Sequence, residues 1–135
     1  MDLASFFRLA RTFKPYTPTL TASSGTLSNI DIQQADYTKI GEIIVVLISV
    51  TYDLSVSNAV SLKMTLPFKL REISGRTGTI FMPVPFGGII GQGEAAYCRS
   101  HDQDSIDVLP CNAASNITIG LRRLLIGGFF YQQEI

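Results

Sequence analysis

One short stretch places a nucleophile, a base and an acid close together: Cys98-x-x-His101-Asp102. A thiolate next to an imidazole that a carboxylate orients could carry nucleophilic chemistry. In extended chain, however, neighbouring side chains point to opposite faces, so His101 and Asp102 diverge. No elbow or helix N-terminus stands beside the thiol to activate it. The stretch therefore reads as a loop histidine beside a structural cysteine. Adding Cys111 gives a three-member zinc set where a structural site needs four, with no paired C-x-x-C. Both cysteines read as strand-end residues flanking a hairpin. Asp102, Asp104 and Asp107 could offer carboxylates to a hard cation, but the glycine and the bidentate glutamate of a calcium loop are missing. They read as a solvated loop. Gly87-Gly88-Ile89-Ile90-Gly91-Gln92-Gly93 resembles a phosphate cradle only in its glycines. No Lys-Ser/Thr follows it and no helix opens after it, so the glycines are expected to permit a bulge or close strand approach. Asn116-Ile117-Thr118 has the form of a glycosylation sequon, and Arg122-Arg123 is expected to be one exposed and one paired arginine rather than a nucleic-acid patch. No catalytic, metal or cofactor-binding residue is assigned, and no enzymatic activity is expected.

The elements that position these residues are bounded by composition. The 135 residues make room for one domain with one core. Charged residues are 16% of the chain, below the ~25% of ordinary domains, while apolar residues are 46%. Few charges with aromatics retained is the make-up of an interface centre, which leans toward an oligomer or an assembled protein. Eleven basic residues balance eleven acidic ones, so neither nucleic acid nor an anionic membrane is an expected partner. The uncharged run Ile43 to Tyr52 is far shorter than the ~20 residues that span a bilayer and reads as a buried strand. The N-terminal MDLASFFRLARTFKPY, with an acid at position 2 and arginines breaking its apolar part, does not have the layout of a secretory leader and is expected to be a retained arm. Two cysteines are too few for a disulfide scaffold.

Residues 1–15 are read as this arm. Leu3, Phe6, Phe7, Ala10 and Phe13 recur at near-helical spacing, Asp2 can cap the start, and Pro15 ends the pattern. The arm is expected to be helical or extended and too short to be stable alone. Its apolar residues, with Arg8, Arg11 and Lys14 at the rim, are the candidate partner-binding set; the arm docks on a separate partner or folds back on its own domain or a sister copy. From Tyr16 to Ile135 the pattern is that of strands. A turn at Ser23-Ser24-Gly25 precedes a strand from Leu27 to Ile40. Glu42 to Tyr52, β-branched and apolar on both faces, is expected to be a central strand covered from both sides. Ala59 to Leu66 alternates apolar with polar, as a half-buried strand does. Further strands are expected at Thr77 to Met82, Phe86 to Ile90, Glu94 to Arg99, Ser105 to Leu109, Ile117 to Ile119 and Arg122 to Tyr131, with glycines and prolines between them. Eight or nine short strands at this spacing predict an all-β, antiparallel, jelly-roll-like β-sandwich.

The punctuation of these strands carries a resemblance. Tyr16-Thr17-Pro18-Thr19-Leu20 opens the domain, and Tyr37-Thr38-Lys39-Ile40-Gly41 leads into the long apolar strand. Leu66-Pro67-Phe68 closes the next strand, and Ile126-Gly127-Gly128-Phe129-Phe130-Tyr131 ends the chain. In that order they resemble the β-sandwich head domains at the tips of bacteriophage tail fibres, which also serve as trimeric decoration modules of virions. The resemblance covers residues 16 to 131. The sequence departs from it in having Tyr16 where tryptophan is commoner, and in having 15 residues of arm where a fibre head follows a long shaft. What the resemblance implies is a homotrimeric, non-enzymatic capsid decoration (cement) protein. It would sit on the virion surface, bind the major capsid protein of the same virion through the arm, and reinforce the shell. The alternative it implies is a receptor-binding head at the tail tip that recognises host surface glycans. Ile43 to Ile48 and Phe129-Phe130-Tyr131 add to the expectation of a trimer, because together they hold more apolar side chains than one small domain readily covers.

Overall fold

The computed structural model describes residues 13–55, 61–73, 80–81, 86–92, 94–111, 117 and 120–134. These residues are all-β, with no helix among them. The strands are β1 (Lys14–Pro15), β2 (Leu20–Ala22), β3 (Leu27–Ile40), β4 (Ile43–Leu54), β5 (Leu62–Thr65), β6 (Glu72–Ile73), β7 (Ile80–Phe81), β8 (Phe86–Gly91), β9 (Glu94–Asp102), β10 (Ser105–Pro110) and β11 (Gly120–Gln132). Nine of them form one sheet in the order β1-β3-β4-β11-β8-β9-β10-β5-β2, and β6 and β7 form a separate two-stranded ribbon. Every pairing is antiparallel.

The connection between β1 and β2 dictates the sheet's shape. These strands occupy opposite ends of the order, yet only Tyr16 to Thr19 lies between them. A flat sheet would hold the two ends ~38 Å apart, at about 4.8 Å per strand spacing. The linker reaches at most ~17 Å, at about 3.5 Å per residue. The sheet must therefore curl, and it forms a half-barrel whose concave face holds the core. Hydrogen bonds secure the bend on both sides: Tyr16 N–H donates to Ala35 O (2.9 Å) on β3, and Thr65 N–H on β5 donates to Thr19 O (3.1 Å).

Alternation of side chains fills that face. On β4 the even positions Ile44, Val46, Ile48, Val50, Tyr52 and Leu54 are all buried, while Ile43 and Leu47 on the odd face are each 37% exposed. The expectation that this strand is covered on both sides thus fails within one chain, because the curl leaves its convex side outside. Leu62 and Met64 of β5, Ile106 and Val108 of β10, and Leu125, Phe129 and Tyr131 of β11 join the same cluster. Ile117, the one described residue of an expected strand at Ile117 to Ile119, is also buried in it.

Three register shifts bend the long strands. In β3 the register with β4 shifts between Ser28 and Asp31 and again between Ile32 and Gln34, and in β11 between Gly120 and Arg123. At the first and the last a residue other than glycine takes the left-handed conformation, Asn29 at φ 48° and Arg122 at φ 55°, a state that costs free energy unless neighbours hold it. Asp53 of β4 holds both. Its Oδ2 accepts from Asn29 Nδ2 (2.6 Å) and its Oδ1 from the Arg122 N–H (2.9 Å). These bonds, the Arg122 backbone N–H first, keep the Asp53 carboxyl below its ordinary range. Gly88 marks a close approach of β8 to β11. A Cβ there would collide with Ile126 O and would come within 2.7 Å of Gly127 Cα, so the glycine-rich stretch does serve strand contact.

Of the arm, residues 1–12 lie outside the described residues, and so do the candidate partner-binding residues Leu3, Phe6, Phe7, Arg8, Ala10 and Arg11. Phe13 is half-buried and non-helical. Lys14 and Pro15 form β1, paired with Tyr37 and Asp36 of β3, so none of the described arm residues, 13–15, takes the helical form expected of the arm.

Candidate functional site

The four segments that carry the family resemblance meet at one place. Tyr16 and Tyr37 lie edge-to-face at 6.2 Å between centroids, and Tyr37 and Phe68 at 5.2 Å. The Tyr131 hydroxyl, on the last strand, donates to Phe68 O (2.8 Å) and accepts from the Phe68 N–H (3.2 Å). Lys39 Nζ stands 5.5 Å above the Phe68 ring. The seam between the two ends of the sheet is therefore built by side chains drawn from residues 16, 37–39, 68 and 131. Burial pushes the Tyr16 and Tyr131 phenols well above their ordinary values.

The loop that presents Phe68 is anchored along its length. Leu66 N–H donates to Asp104 O and Leu70 N–H to Gln103 O, both at the β9–β10 turn. Arg71 N–H donates to Gln132 O, Glu134 N–H to Lys69 O, and Arg71 pairs with Glu42 at 3.5 Å. Two shallow hollows flank it. One, of about 230 Å³, lies among Lys14, Tyr37, Thr38, Lys39 and Phe68; the other, of about 370 Å³, lies among Leu66 to Lys69, Asp104, Gln133 and Glu134.

A second cluster, not anticipated from the sequence, lies on the convex face. The register pairs Asp107 of β10 with Arg99 of β9 on one side and Lys63 of β5 on the other. Asp107, 8% exposed, has Arg99 Nε at 3.8 Å and His101 Nδ1 at 3.0 Å from its Oδ2. These groups, with Thr21, Ser23 and Ser61, line a concavity of about 420 Å³. The signal was present as the alternation Tyr97, Arg99, His101 along one strand face, but it needs the hairpin register to bring Asp107 beside it.

The other chemistry-bearing residues disperse. Cys98 pairs with the core residue Val108 and packs against the core, whereas His101 faces outward, so thiol and imidazole are on opposite sides of β9. Burial pushes the Cys98 thiol up to about 12, which suppresses the thiolate that nucleophilic chemistry needs. Neither Cys98 nor Cys111 is in a disulfide, and Cys111 is exposed. The Asp102 carboxyl is raised by partial burial, but bonds from the Ser105 hydroxyl and the Asp104 N–H outweigh this and hold it low, with help from His101 and Lys63. It fastens the hairpin turn. Among the described residues no three His, Cys, Asp or Glu side chains converge to hold a metal ion. The Tyr52 hydroxyl is buried with no well-formed hydrogen bond. Burial pushes its pKa up to about 12, against an opposing interaction with the Gly91 backbone.

Beyond these clusters the convex face carries exposed apolar side chains. Ile40, Ile43, Leu47, Tyr97, Ile126 and Phe130 point outward from β3, β4, β9 and β11, with exposures from 37% to 52%. Comparison with protein-family models, with curated proteins and with solved structures finds no match to this chain.

Proposed function

We propose that this chain is a non-enzymatic structural protein of a bacteriophage virion: a homotrimeric capsid decoration protein whose curled sheet is a jelly-roll-like head and whose N-terminal segment attaches it to the major capsid protein. The observation that carries the reading is the aromatic seam. The resemblance rests on four short motifs in a fixed order, and Tyr16, Tyr37, Phe68 and Tyr131, one from each, meet where the two ends of the sheet are fastened. A motif set with one shared structural task argues for a common fold more strongly than four unrelated short matches would. The charge-poor convex face adds support, since an assembled protein covers such a surface with a neighbour.

A second reading, a tail-tip head that binds host glycans, is favoured by the concavity at Asp107. Hydroxyls of Thr21, Ser23 and Ser61 beside Arg99 and Lys63 offer donors and acceptors suited to a saccharide. Imaging of particles labelled with an antibody against this chain separates the two. Label spread over the shell supports decoration, label confined to the tail end supports the glycan-binding head, and particles without label overturn both.

A further inference from the structure

We propose that the uncharged convex face of β4, β11, β8 and β9 is the surface through which copies of this chain meet. The inference rests on the trimeric reading above and goes beyond it by naming the interface. Alternation and register define the face. Over the central stretch the outward positions are 43, 45, 47, 49 and 51 on β4, 124, 126, 128, 130 and 132 on β11, 89 on β8, and 95 and 97 on β9. None of these is Asp, Glu, Lys or Arg, and the same face ends at the charged Asp53 of β4 and Arg99 of β9. On it Phe130 is 52% exposed, and beside it Ile40 is 46% exposed.

Its margins carry opposite charge. On the β3 side stand Asp31 and Asp36, opposite Thr51 and Leu47 of β4. On the other side, beyond Tyr97, stand Arg99, whose side chain is 61% exposed, and Lys63. Asp107 lies between these two cations, but it is nearly buried and already paired with Arg99 and His101. One margin of the face is therefore the electrostatic complement of the other, and a second copy is the partner that matches both. Two unlike margins suit a head-to-tail ring, in which each copy's Asp36 side meets the next copy's Arg99 side around an apolar centre. Size agrees as well. A standard interface buries ~800 Å² per partner, of which about 56–65% is apolar, or roughly 450–520 Å². Tyr97 and Phe130, aromatic side chains of ~150–250 Å² each, and the aliphatic Ile40, Ile43, Leu47 and Ile126, all exposed by about two fifths to a half, contribute to such an area.

Sedimentation equilibrium of the full chain at micromolar concentration tests this, with Phe130→Glu and Ile126→Lys as variants and Thr17→Glu, exposed in the linker between β1 and β2, as a control. The expected masses are three times 14.8 kDa for the full chain and the control, and 14.8 kDa for both face variants with far-ultraviolet circular dichroism unchanged. A full-length trimer that both face variants leave intact overturns this interface while sparing the trimeric reading. A full-length monomer overturns both. A full-length monomer that associates once residues 1–12 are removed overturns the inference by identifying the arm as the occupant. Reversing one charge, as Asp36→Arg or Arg99→Asp, is expected to weaken association about tenfold, and the double variant to restore most of it. Failure of the double variant to recover any affinity counts against the charge pairing. Particle labelling reports where the protein sits and is independent of these masses, so failure of the virion reading and failure of the interface remain separable.

Discussion

Removing the Tyr131 hydroxyl tests whether the aromatic seam holds the sheet's ends together. That oxygen is the partner of both backbone groups of Phe68, accepting from its N–H at 3.2 Å and donating to its carbonyl at 2.8 Å, and Tyr131 is 2% exposed. Tyr131→Phe keeps the ring and its stacking with Phe129, 6.2 Å away, and deletes only those two bonds. An unpartnered buried group costs ~1–3 kcal/mol; Phe68 is half-buried and water recovers part of the loss, which sets the total at about 2–3 kcal/mol. For a domain of this size ~4 °C accompanies each kcal/mol, so the midpoint is expected to fall by about 8–12 °C. Tyr16→Phe is the internal comparison. Its hydroxyl reaches Thr65 O at 3.5 Å, the limit of a hydrogen bond, and its loss is expected to cost less than about 0.5 kcal/mol. Urea titration followed by circular dichroism measures both. Equal effects, or a Tyr131→Phe change within ~0.5 kcal/mol of zero, refute the reasoning.

Gly88→Ala is expected to destabilise by about 2–3 kcal/mol, because its Cβ has no room against the β11 backbone; the same urea titration checks it, and a neutral result shows that the strands separate freely. Native-state maleimide labelling at pH 8 is expected to modify one thiol, Cys111, at once and Cys98 roughly 1,000-fold more slowly, since burial holds Cys98 protonated; equal rates contradict this. Tyr52 and Tyr131 keep their protons when folded, so each contributes stability that is present below pH ~10 and lost above it, together roughly 2–3 kcal/mol by pH 11. Asp53 and Asp102 have the opposite sign: their carboxyls are held low, so stability present above pH ~4 is lost as pH falls further. Urea midpoints at pH 3, 7 and 11 are expected to be highest at 7, and a flat profile disproves both assignments.

What the sequence disclosed depended on the range over which each signal acts. Alternation of apolar and polar residues is local, so Leu27 to Ile40, Glu42 to Tyr52 and Arg122 to Tyr131 were legible as strands close to their observed bounds. The ribbon strand Glu72–Ile73 was missed, because two residues carry no period. The bulges at Asn29 and Arg122 were invisible for another reason: asparagine tolerates the left-handed region without requiring it and arginine disfavours it, and both are held there by Asp53, 24 and 69 positions away. The curl follows from the strand order rather than from any single strand, so an expectation of facing layers became one sheet bent on itself. The motif residues were singled out as punctuation, but that Tyr16, Tyr37, Phe68 and Tyr131 touch is a property of register and closure. Asp107 was read as part of a solvated acidic loop, and its burial between Lys63 and Arg99 appears only once β5, β10 and β9 are laid side by side.

The most direct test of the virion assignment is to add the purified chain to phage particles assembled without it and to image them by electron microscopy. The structure sets the companion truncation at residue 12, because Lys14 and Pro15 already belong to the sheet. Burial of Phe6, Phe7 and Leu3, at ~1.5–3 kcal/mol each, exceeds the ~1 kcal/mol or less from each rim cation, so the aromatics are expected to dominate attachment. Regular density over the shell is expected with the full chain, and bare shells with the truncated chain, which still folds and associates. Shells left bare by the full chain, or decorated equally by the truncated one, contradict it.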